Sequence, residues 1–365
     1  MQLACFVGAR PNFMKMAPLL RALEAHTQVD VTLVHTGQHY DSSLSDVFFE
    51  DLGMRRPDVS LEVGSGSHGQ QTARVLERTE EFLLSRVADR KIDRVVVVGD
   101  VNSTMAVSLA AVKLGVSVAH VEAGLRSFDR SMPEEINRIV TDSIADLLLV
   151  SEPAGLDNLR REGHADDHVH LVGNVMIDTL LHLLPGAQNR DTLARYSLVP
   201  QGYGVVTLHR PSNVDDPQTL SDLLQALVDI SRDLPLVFPI HPRTKKQIER
   251  YDLIDVLSDA PGILELPPLG YLDFLSLTSQ AKAIVTDSGG LQEESTALGI
   301  PCLTMRGTTE RPVTVQQGTS TLIGNDVGQL RFHMAAVLEG TYKTGSCPEL
   351  WDGQAAERIA AVLVS

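Results

Sequence analysis

The chain has 365 residues, of which 43% are hydrophobic and 21% are charged, a composition typical of a globular protein of about two domains. Its formal net charge of −16 argues against nucleic acid and anionic membranes as partners, because proteins that bind them present basic patches. No uncharged apolar stretch approaches the roughly 18 residues of a membrane span and no signal peptide is recognisable, so we expect a cytoplasmic protein.

Apolar runs alternate with stretches of helical periodicity along the whole chain, a pattern that predicts parallel sheets flanked by helices. In the first half we predict strands at residues 3–7, 29–35, 94–99, 116–121, 147–150 and 169–172. A helix over 175–184 and a loose segment over 185–189 follow. The pattern then restarts, with strands predicted at 204–208, 236–239, 263–266, 283–286 and 300–305.

This order of elements predicts an α/β protein with two similar domains, residues 1–172 and 173–350. Residues 351–365 have the periodicity of a short amphipathic helix, which could pack back on the first domain. Because parallel α/β sheets bind ligands beyond the carboxyl ends of their strands, we expect the ligand in a cleft between the two domains.

Two cations follow the first predicted strand. Arg10 and Lys15 lie in a segment that starts a helix, which places them near the carboxyl end of that strand. The segment lacks the spaced glycines of GxGxxG and of a Walker A loop, so it indicates neither nicotinamide binding nor P-loop hydrolysis. Taken in isolation, Arg10 could cap the loop and Lys15 could be a solvated helix residue.

Three acids stand at the ends or starts of elements in the first domain. Asp100 ends one predicted strand, Glu122 ends the next, and Glu134 follows Pro133 at a helix start. Asp100 could be a helix cap, and Glu134 could complement a helix dipole. Glu122 is harder to explain structurally, because a carboxylate at the end of a buried strand is costly without a partner. Carboxylates brought to one sheet edge acquire different pKa values, as proton transfer requires.

Residues 283–312 organise the second domain. An apolar strand breaks at Ser288-Gly289-Gly290 and opens a helix, so several backbone N–H groups point outward with the helix dipole behind them. Arg306 and Arg311 supply guanidinium groups that can clamp a phosphate, and Glu294 lies where an acid can hold a ribose diol. Paired glycines alone would indicate only a tight turn. The combination favours a nucleotide.

Other candidate residues of the second domain are two histidines and one aromatic residue. His209 and His241 each follow a strand, but neither HxH nor HxxxH spacing connects them, and the scattered cysteines lack CxxC spacing. We therefore expect no metal site. Phe274 follows a turn, where it could flank a base or pack in the core.

Motifs spread over nearly the whole chain together resemble the non-hydrolysing UDP-N-acetylglucosamine 2-epimerases. They are Gly8-x-Arg10-Pro11-x3-Lys15, Thr36-Gly37-Gln38-His39, Gly99-Asp100, 120–126, 133–138, 287–294 and 309–312. The resemblance implies a GT-B fold of two Rossmann-like domains, a homodimer, and interconversion of UDP-GlcNAc and UDP-ManNAc without metal or nicotinamide. By position, it implies UDP binding by Arg10, Lys15, Phe274, Ser288, Gly289, Gly290, Glu294 and Arg311. It implies catalysis by Asp100, Glu122, Glu134 and His209.

The chemistry of the reaction suits these residue types. The hydrogen on C2 of the sugar is not adjacent to a carbonyl, so inversion there needs either transient oxidation or loss of the anomeric leaving group. The family's mechanism is anti elimination of UDP to 2-acetamidoglucal, followed by re-addition. Carboxylates can move the proton and stabilise positive charge at C1. Our hypothesis makes Asp100 and Glu134 the proton-transfer pair and Glu122 the electrostatic partner, with His209 near the diphosphate.

The sequence departs from the family pattern in two places. Residues 127–132 form a shorter segment than in many UDP-GlcNAc members, and they resemble relatives that act on other UDP-2-acetamido sugars, including uronic acids. Members activated by a second UDP-GlcNAc carry glutamines and an arginine where this chain has Tyr40-Asp41-Ser42-Ser43 and Gln70-Gln71-Thr72. We therefore predict weak or absent activation by substrate.

Three other functions share the nucleotide-binding features. A GT-B glycosyltransferase would need an acceptor surface and would not exchange the C2 proton. A non-catalytic sensor would bind the UDP-sugar without turnover. A hydrolysing relative would release ManNAc and UDP.

Overall fold

The chain forms two α/β units, and the computed structural model describes residues 1–37, 49, 51–86 and 91–365, with only the backbone of Arg10. Unit 1 comprises Met1–His182 and Glu349–Ser365, and unit 2 comprises Leu183–Pro348. Within the described ranges, no helix is both long enough and apolar enough to span a bilayer.

Unit 1 is built on a seven-stranded sheet in the order β3-β2-β1-β4-β5-β6-β7, and each pair of neighbours runs parallel. The strands are β1 Gln2–Val7, β2 Asp30–His35, β3 Val59–Ser60, β4 Arg94–Val98, β5 Ser117–Ala123, β6 Leu147–Val150 and β7 Val169–Leu171. The helices up to the boundary are α1 Arg10–Glu24, α2 His68–Ser85, α3 Asn102–Lys113, α4 Pro133–Ile144, α5 Pro153–Arg161 and α6 Val175–Gln188. Near-continuous apolar runs such as β4 are typical of parallel strands buried on both faces.

Unit 2 has a six-stranded parallel sheet in the order β10-β9-β8-β11-β12-β13. The strands are β8 Gly204–Thr207, β9 Leu236–Pro239, β10 Ile263–Leu266, β11 Ala283–Thr286, β12 Cys302–Thr304 and β13 Ser320–Leu322. The helices are α7 Thr192–Arg195, α8 Pro211–Val214, α9 Pro217–Ser231, α10 Pro242–Arg250, α11 Ile254–Ser258, α12 Tyr271–Thr278, α13 Gly289–Leu298, α14 Pro312–Gln316 and α15 Val327–Glu339.

Each sheet begins at a central strand, grows to one edge and then continues on the other side of that first strand. The order reverses between β1 and β4 in unit 1, and between β8 and β11 in unit 2. The loops that follow these neighbouring strands diverge there, which leaves room for a ligand at the carboxyl edge. The predicted parallel sheets are confirmed, and these two switch points mark the edges where α/β sheets of this kind bind ligands.

The predicted strands are present, with ends that shift by at most two residues. Two short strands, β3 and β13, were not predicted, because two or three residues of mixed polarity are too few to show the alternating hydrophobic pattern of a strand. The predicted loose segment at 185–189 is wrong, since α6 continues through Pro185 to Gln188. Burial of Leu183 and Ala187 on either side of the proline offsets its cost to the helix.

The chain returns to unit 1 at its end. The final helix, α16 Ala355–Val364, packs on α1, and the indole N–H of Trp351 donates to the backbone oxygen of Ser151 at 3.2 Å. Asp178 on α6 accepts the first two backbone N–H groups of α16 at 3.2 and 2.7 Å. Burial raises the pKa of Asp178 to about 6, and these N–H donors limit the rise. Asp178 thus acts as a helix cap supplied from another helix.

We expect Asp178→Ala to lower the free energy of unfolding by about 1–2 kcal/mol, the usual cost of losing a capping acceptor. Asp178→Asn keeps one acceptor oxygen and should lose less. Urea denaturation measures the stability, and hydrogen exchange at the start of α16 should quicken in the alanine variant. Asp157→Ala, at an exposed acid of the same unit, is the control, and an equal loss there would contradict the capping role.

Candidate active site

The loop after β1 is tied to the end of β4 by one amide side chain. Asn12 Oδ1 accepts the backbone N–H groups of Gly8 and Ala9 at 3.2 and 2.9 Å, and its Nδ2 donates to the Val98 carbonyl at 2.9 Å. These bonds span the switch point of unit 1, so the residues that follow both strands stand at one edge of the sheet.

Lys15 and Glu122 meet at this edge. The Lys15 ammonium and the Glu122 carboxylate form a buried ion pair, in which the two residues are 6% and 5% exposed. A Cβ on Gly99 would lie 2.9 Å from Lys15 Nζ, so the pair lies against the backbone just before Asp100. Glu122 has a left-handed backbone with φ of 74° where the β5–β6 register shifts. Such strain in a non-glycine residue is typical of functional sites.

Asp100 is held by an arginine that sequence reasoning left unassigned. Arg138 on α4 donates from Nη1 to Asp100 Oδ2 at 2.6 Å and from Nη2 to Glu135 Oε2 at 2.7 Å. The Glu135 carboxylate also accepts the backbone N–H groups of Ser127 and Phe128, each at 2.9 Å. Burial raises the pKa of Glu135, but these donors and Arg138 hold it below its usual value. Arg138 therefore connects Asp100, α4 and the loop before α4.

The three predicted acids lie in different surroundings. Glu122 is buried against a lysine, and Asp100 is bonded to an arginine while its side chain is 28% exposed. Glu134, in the first turn of α4, is exposed to solvent. Carboxylates in surroundings this unlike can take separate parts in one reaction.

A buried carboxylate occupies the switch point of unit 2. Asp287, directly after β11, accepts at Oδ2 from the backbone N–H groups of His209 and Arg210 at 2.9 and 2.8 Å, and from Asn213 Nδ2 at 3.0 Å. His209 Nδ1 lies 2.7 Å from Asp287 Oδ1. Burial raises the pKa of Asp287, but His209 and the other donors hold it below its usual value. The carboxylate thus orients the imidazole of His209, whose side chain is 39% exposed.

Arg311 belongs to a chain of buried ion pairs. Arg306 Nη2 lies 2.7 Å from Glu310 Oε2, the Glu310 carboxylate pairs with Arg311, and Arg311 Nε lies 2.6 Å from Glu293 Oε1. Although burial raises the pKa of Glu310, the two arginines hold it well below its usual range. A Cβ on Gly289 would lie 3.0 Å from Glu310 Oε1 and 3.1 Å from Arg311 Nη1. The start of α13 therefore packs directly on this cluster.

Glu294 is buried on α13 and accepts a hydrogen bond from the Tyr271 hydroxyl at 3.0 Å. Burial raises its pKa to about 7; the Tyr271 hydrogen bond lowers it and the Glu293 charge raises it further. The remaining predicted nucleotide contacts surround the same helix start. Ser288 donates its backbone N–H to Thr286 Oγ1 at 2.9 Å, and Phe274 on α12 is half-buried against the core.

Gly290 is the second residue of α13, and a Cβ there would meet nothing within 4 Å among the described atoms. Arg10 is the first residue of α1, and its side chain lies outside the described residues. Residues 40–43, which contribute to the predicted lack of substrate activation, also lie outside them, as do Gln38 and His39 of the second motif. Gln71 on α2 accepts a hydrogen bond from Asn102 Nδ2 at 3.2 Å.

The sequence did not predict the residues that bind the candidate side chains. Arg138 and Asp287 lie in the family motifs 133–138 and 287–294, but we had assigned no role to either residue. Tyr271, the partner of Glu294, lies 23 residues before it, and its sequence context carries no signal of that contact.

Comparison with known proteins places the chain in a family. The sequence profile of the family described as UDP-N-acetylglucosamine 2-epimerase matches residues 21–364. The chain belongs to this family. A crystal structure of Methanocaldococcus jannaschii UDP-GlcNAc 2-epimerase in complex with UDP-GlcNAc and UDP is similar to this chain, with a sequence identity of 40% and a TM-score of 0.89. The match covers 100% of this chain and 99% of that one. The expected GT-B fold of two Rossmann-like units is confirmed.

Relatives in the 2-epimerase family have names that refer to two substrates. A UDP-N-acetylglucosamine 2-epimerase of Methanococcus maripaludis is 41% identical over 330 residues, which is 89% of this chain and 88% of the relative. A UDP-2,3-diacetamido-2,3-dideoxy-D-glucuronate 2-epimerase of Pseudomonas aeruginosa is 40% identical over 327 residues, again 89% and 88%. The sequence identity to these two relatives therefore does not indicate which of the two UDP-sugars this chain prefers.

The raised pKa of Glu294 predicts a pH-dependent stability. Its pKa rises on folding from 4.5 to about 7, so within this window the folded state keeps a proton that the unfolded state has lost. The free energy of unfolding should therefore fall as pH rises through the window, by up to about 3 kcal/mol from this group. Glu294→Gln should remove that fall.

Urea denaturation of both proteins between about pH 5 and pH 8 measures this difference. Glu265→Gln, at an exposed acid of unit 2, should keep the wild-type pH dependence. A Glu294→Gln protein with an unchanged pH dependence would show that Glu294 ionises freely in the fold.

Proposed function

We propose that the protein is a non-hydrolysing epimerase that inverts C2 of a UDP-2-acetamido sugar, with UDP-GlcNAc and UDP-ManNAc as its substrate pair. The proposed route is elimination of UDP to a 2-acetamidoglucal followed by its re-addition. The observation that supports this proposal is that three carboxylates lie in unlike environments: Asp100 after β4, Glu122 near the end of β5 and Glu134 in the first turn of α4. Family membership supports the same reaction.

In the proposed mechanism, one carboxylate removes the C2 proton as the bond between C1 and the UDP oxygen breaks, which leaves a C1–C2 double bond. In the return step, a proton reaches the opposite face of C2 while the UDP oxygen bonds to C1. We assign the two proton transfers to Asp100 and Glu134. Glu122, buried beside Lys15, would stabilise positive charge that develops at C1.

We assign UDP binding to the residues around the start of α13, with two cations from the first turns of α1. The backbone N–H groups of a helix start favour a diphosphate, and the ordered imidazole of His209 suits a place beside it. The full set proposed for UDP is Arg10, Lys15, Phe274, Ser288, Gly289, Gly290, Glu294 and Arg311. No metal or nicotinamide enters this proposal.

One observation favours a second substrate. The Pseudomonas aeruginosa relative named for a diacetamido uronate is about as similar as the relatives named for UDP-GlcNAc. The family resemblance points the same way, because it implies that residues 127–132 are shorter than the segment of many UDP-GlcNAc members. Assays with both UDP-sugars, compared by kcat/KM, decide between them. We further propose a homodimer, as the family resemblance implies, and a cytoplasmic location.

Incubation with UDP-GlcNAc in D2O, followed by proton NMR at C2, tests the reaction. The wild-type protein should replace the C2 proton by deuterium and form UDP-ManNAc. An Asp100→Asn, Glu134→Gln double variant should slow exchange by about 10²- to 10⁴-fold, the usual contribution of general acid–base groups. Asp157→Asn is the surface control and should exchange at the wild-type rate.

Each other outcome of the D2O experiment has a distinct meaning. Full exchange in the double variant would refute the assignment of the two acids. Accumulation of free ManNAc and UDP would indicate a hydrolysing enzyme. Absence of exchange in the wild-type protein with both UDP-sugars, although they bind, would favour a glycosyltransferase or a sensor.

Gly289→Ala tests the proposed diphosphate site. The added methyl group would crowd Glu310 and Arg311 at 3.0 and 3.1 Å, so we expect UDP to bind about tenfold more weakly, equivalent to about 1.4 kcal/mol. Gly307→Ala is the matched control in the same unit, because a Cβ there would meet no described atom within 4 Å. Calorimetric titration with UDP measures both, and equal affinities would argue against the site.

A further inference from the structure

A buried histidine lies among the elements that carry the three proposed acids. His120 is on β5, two residues before Glu122, and is fully buried. Its Nδ1 lies 2.6 Å from Asp142 Oδ1, and its Nε2 lies 2.8 Å from the Gly99 carbonyl oxygen. A carbonyl oxygen only accepts hydrogen bonds, so Nε2 carries a proton.

Asp142 faces the other ring nitrogen. Asp142 is fully buried on α4, and its Oδ2 accepts from the Gly124 N–H at 3.0 Å and from Arg126 Nη1 at 2.7 Å. Burial raises the pKa of Asp142, but His120 and Arg126 hold it below its usual value. The two ring nitrogens of His120 are therefore each held by a different element, Nε2 by the peptide after β4 and Nδ1 by α4.

Asp142 is also held by a buried arginine. Arg126 pairs with Asp142 and with Glu162, the latter at 2.6 Å. A buried charge is tolerated when it is paired and hydrogen-bonded in this way. The carboxylate that faces His120 is therefore itself fixed in place.

The two bonds of His120 connect the elements that carry the three proposed acids. The Gly99 carbonyl belongs to the peptide bond between Gly99 and Asp100. Gly99 has a φ of 69°, but glycine can adopt other φ values as readily, so the bond from His120 helps to fix this conformation. Asp142 lies two turns along α4 from Glu134, at a spacing that keeps both on one side of the helix. Glu122 is on the same strand as His120. One side chain thus fixes β4, β5 and α4 relative to each other.

We propose that His120 is a positioning residue for the epimerisation, which holds the peptide before Asp100 and the helix of Glu134 in register with Glu122. This inference rests on the function proposed above. His120 does not touch the sugar in this account. It acts through the Gly99 carbonyl and the Asp142 carboxylate.

Two substitutions separate the two bonds. The amide nitrogen of Asn can take the place of Nδ1, so His120→Asn keeps the bond to Asp142 and loses the bond to Gly99. The amide nitrogen of Gln can take the place of Nε2, so His120→Gln keeps the bond to Gly99. We expect His120→Asn to lower kcat by about 10- to 100-fold, the effect of slightly misplaced catalytic groups, with KM within about threefold of wild type. His120→Gln should retain more of the kcat than His120→Asn.

A merely structural role predicts a different pattern. Both variants would then lose activity in proportion to their unfolded fraction, with the kcat of the folded molecules unchanged, and that result would overturn the proposal. Wild-type kcat in both variants would overturn it as well. His168→Asn, at an exposed histidine of unit 1, is the control and should keep wild-type kinetics.

Backbone amide NMR of the wild type and the two variants tests the positioning without any assay of activity. Loss of the bond to the Gly99 carbonyl should shift the Asp100 amide signal in His120→Asn, whereas His120→Gln should leave that signal near its wild-type position. An unmoved Asp100 signal in His120→Asn would overturn the inference even if the protein is an epimerase. The expected shift in a protein without epimerase activity would instead place the failure in the proposed function.

Discussion

A charge that leaves water must meet an opposite charge, and this constraint shapes the functional edges of both sheets. Lys15 faces Glu122, Arg138 bridges two carboxylates, and Arg311 lies between Glu310 and Glu293. Removing one partner of such a pair leaves a buried charge uncompensated, which costs about 3–5 kcal/mol. The loops at the strand ends are therefore held in one arrangement, and the pairs Lys15–Glu122, Arg138–Asp100 and Arg311–Glu293 join different elements.

The two units share a strand order but place their carboxylates in different surroundings. Asp100 and Asp287 occupy corresponding places, each just after the strand beyond the switch point. The Asp100 side chain is 28% exposed, whereas Asp287 is fully buried and accepts from His209, Arg210 and Asn213. The first surroundings suit the proton transfer proposed for Asp100, and the second let a carboxylate orient a histidine. Exposure, more than residue type, distinguishes the two acids.

Rigidity at the edge of unit 1 suits the proposed reaction. An elimination that leaves the sugar planar at C2 and then restores it from the other face needs acids whose positions persist through the intermediate. The strained backbone of Glu122, the Asn12 bonds across the switch point and the doubly bonded ring of His120 each remove freedom from this edge. Each of these features involves a backbone group, so a change of side-chain rotamer at the acids does not remove it.

The sequence by itself determined the two parallel sheets and the strand ends at which Asp100, Glu122 and His209 stand, because apolar periodicity is local and carboxyl ends of parallel strands share an edge. Family motifs extended this to a set of candidate residues. Only the tertiary structure decided which charges pair, since Lys15 and Glu122 are 107 positions apart and Asp100 and Arg138 are 38 apart, and periodicity carries no such distances. It also decided that α6 continues through Pro185, because burial of Ala187 depends on neighbours that the local pattern does not reveal.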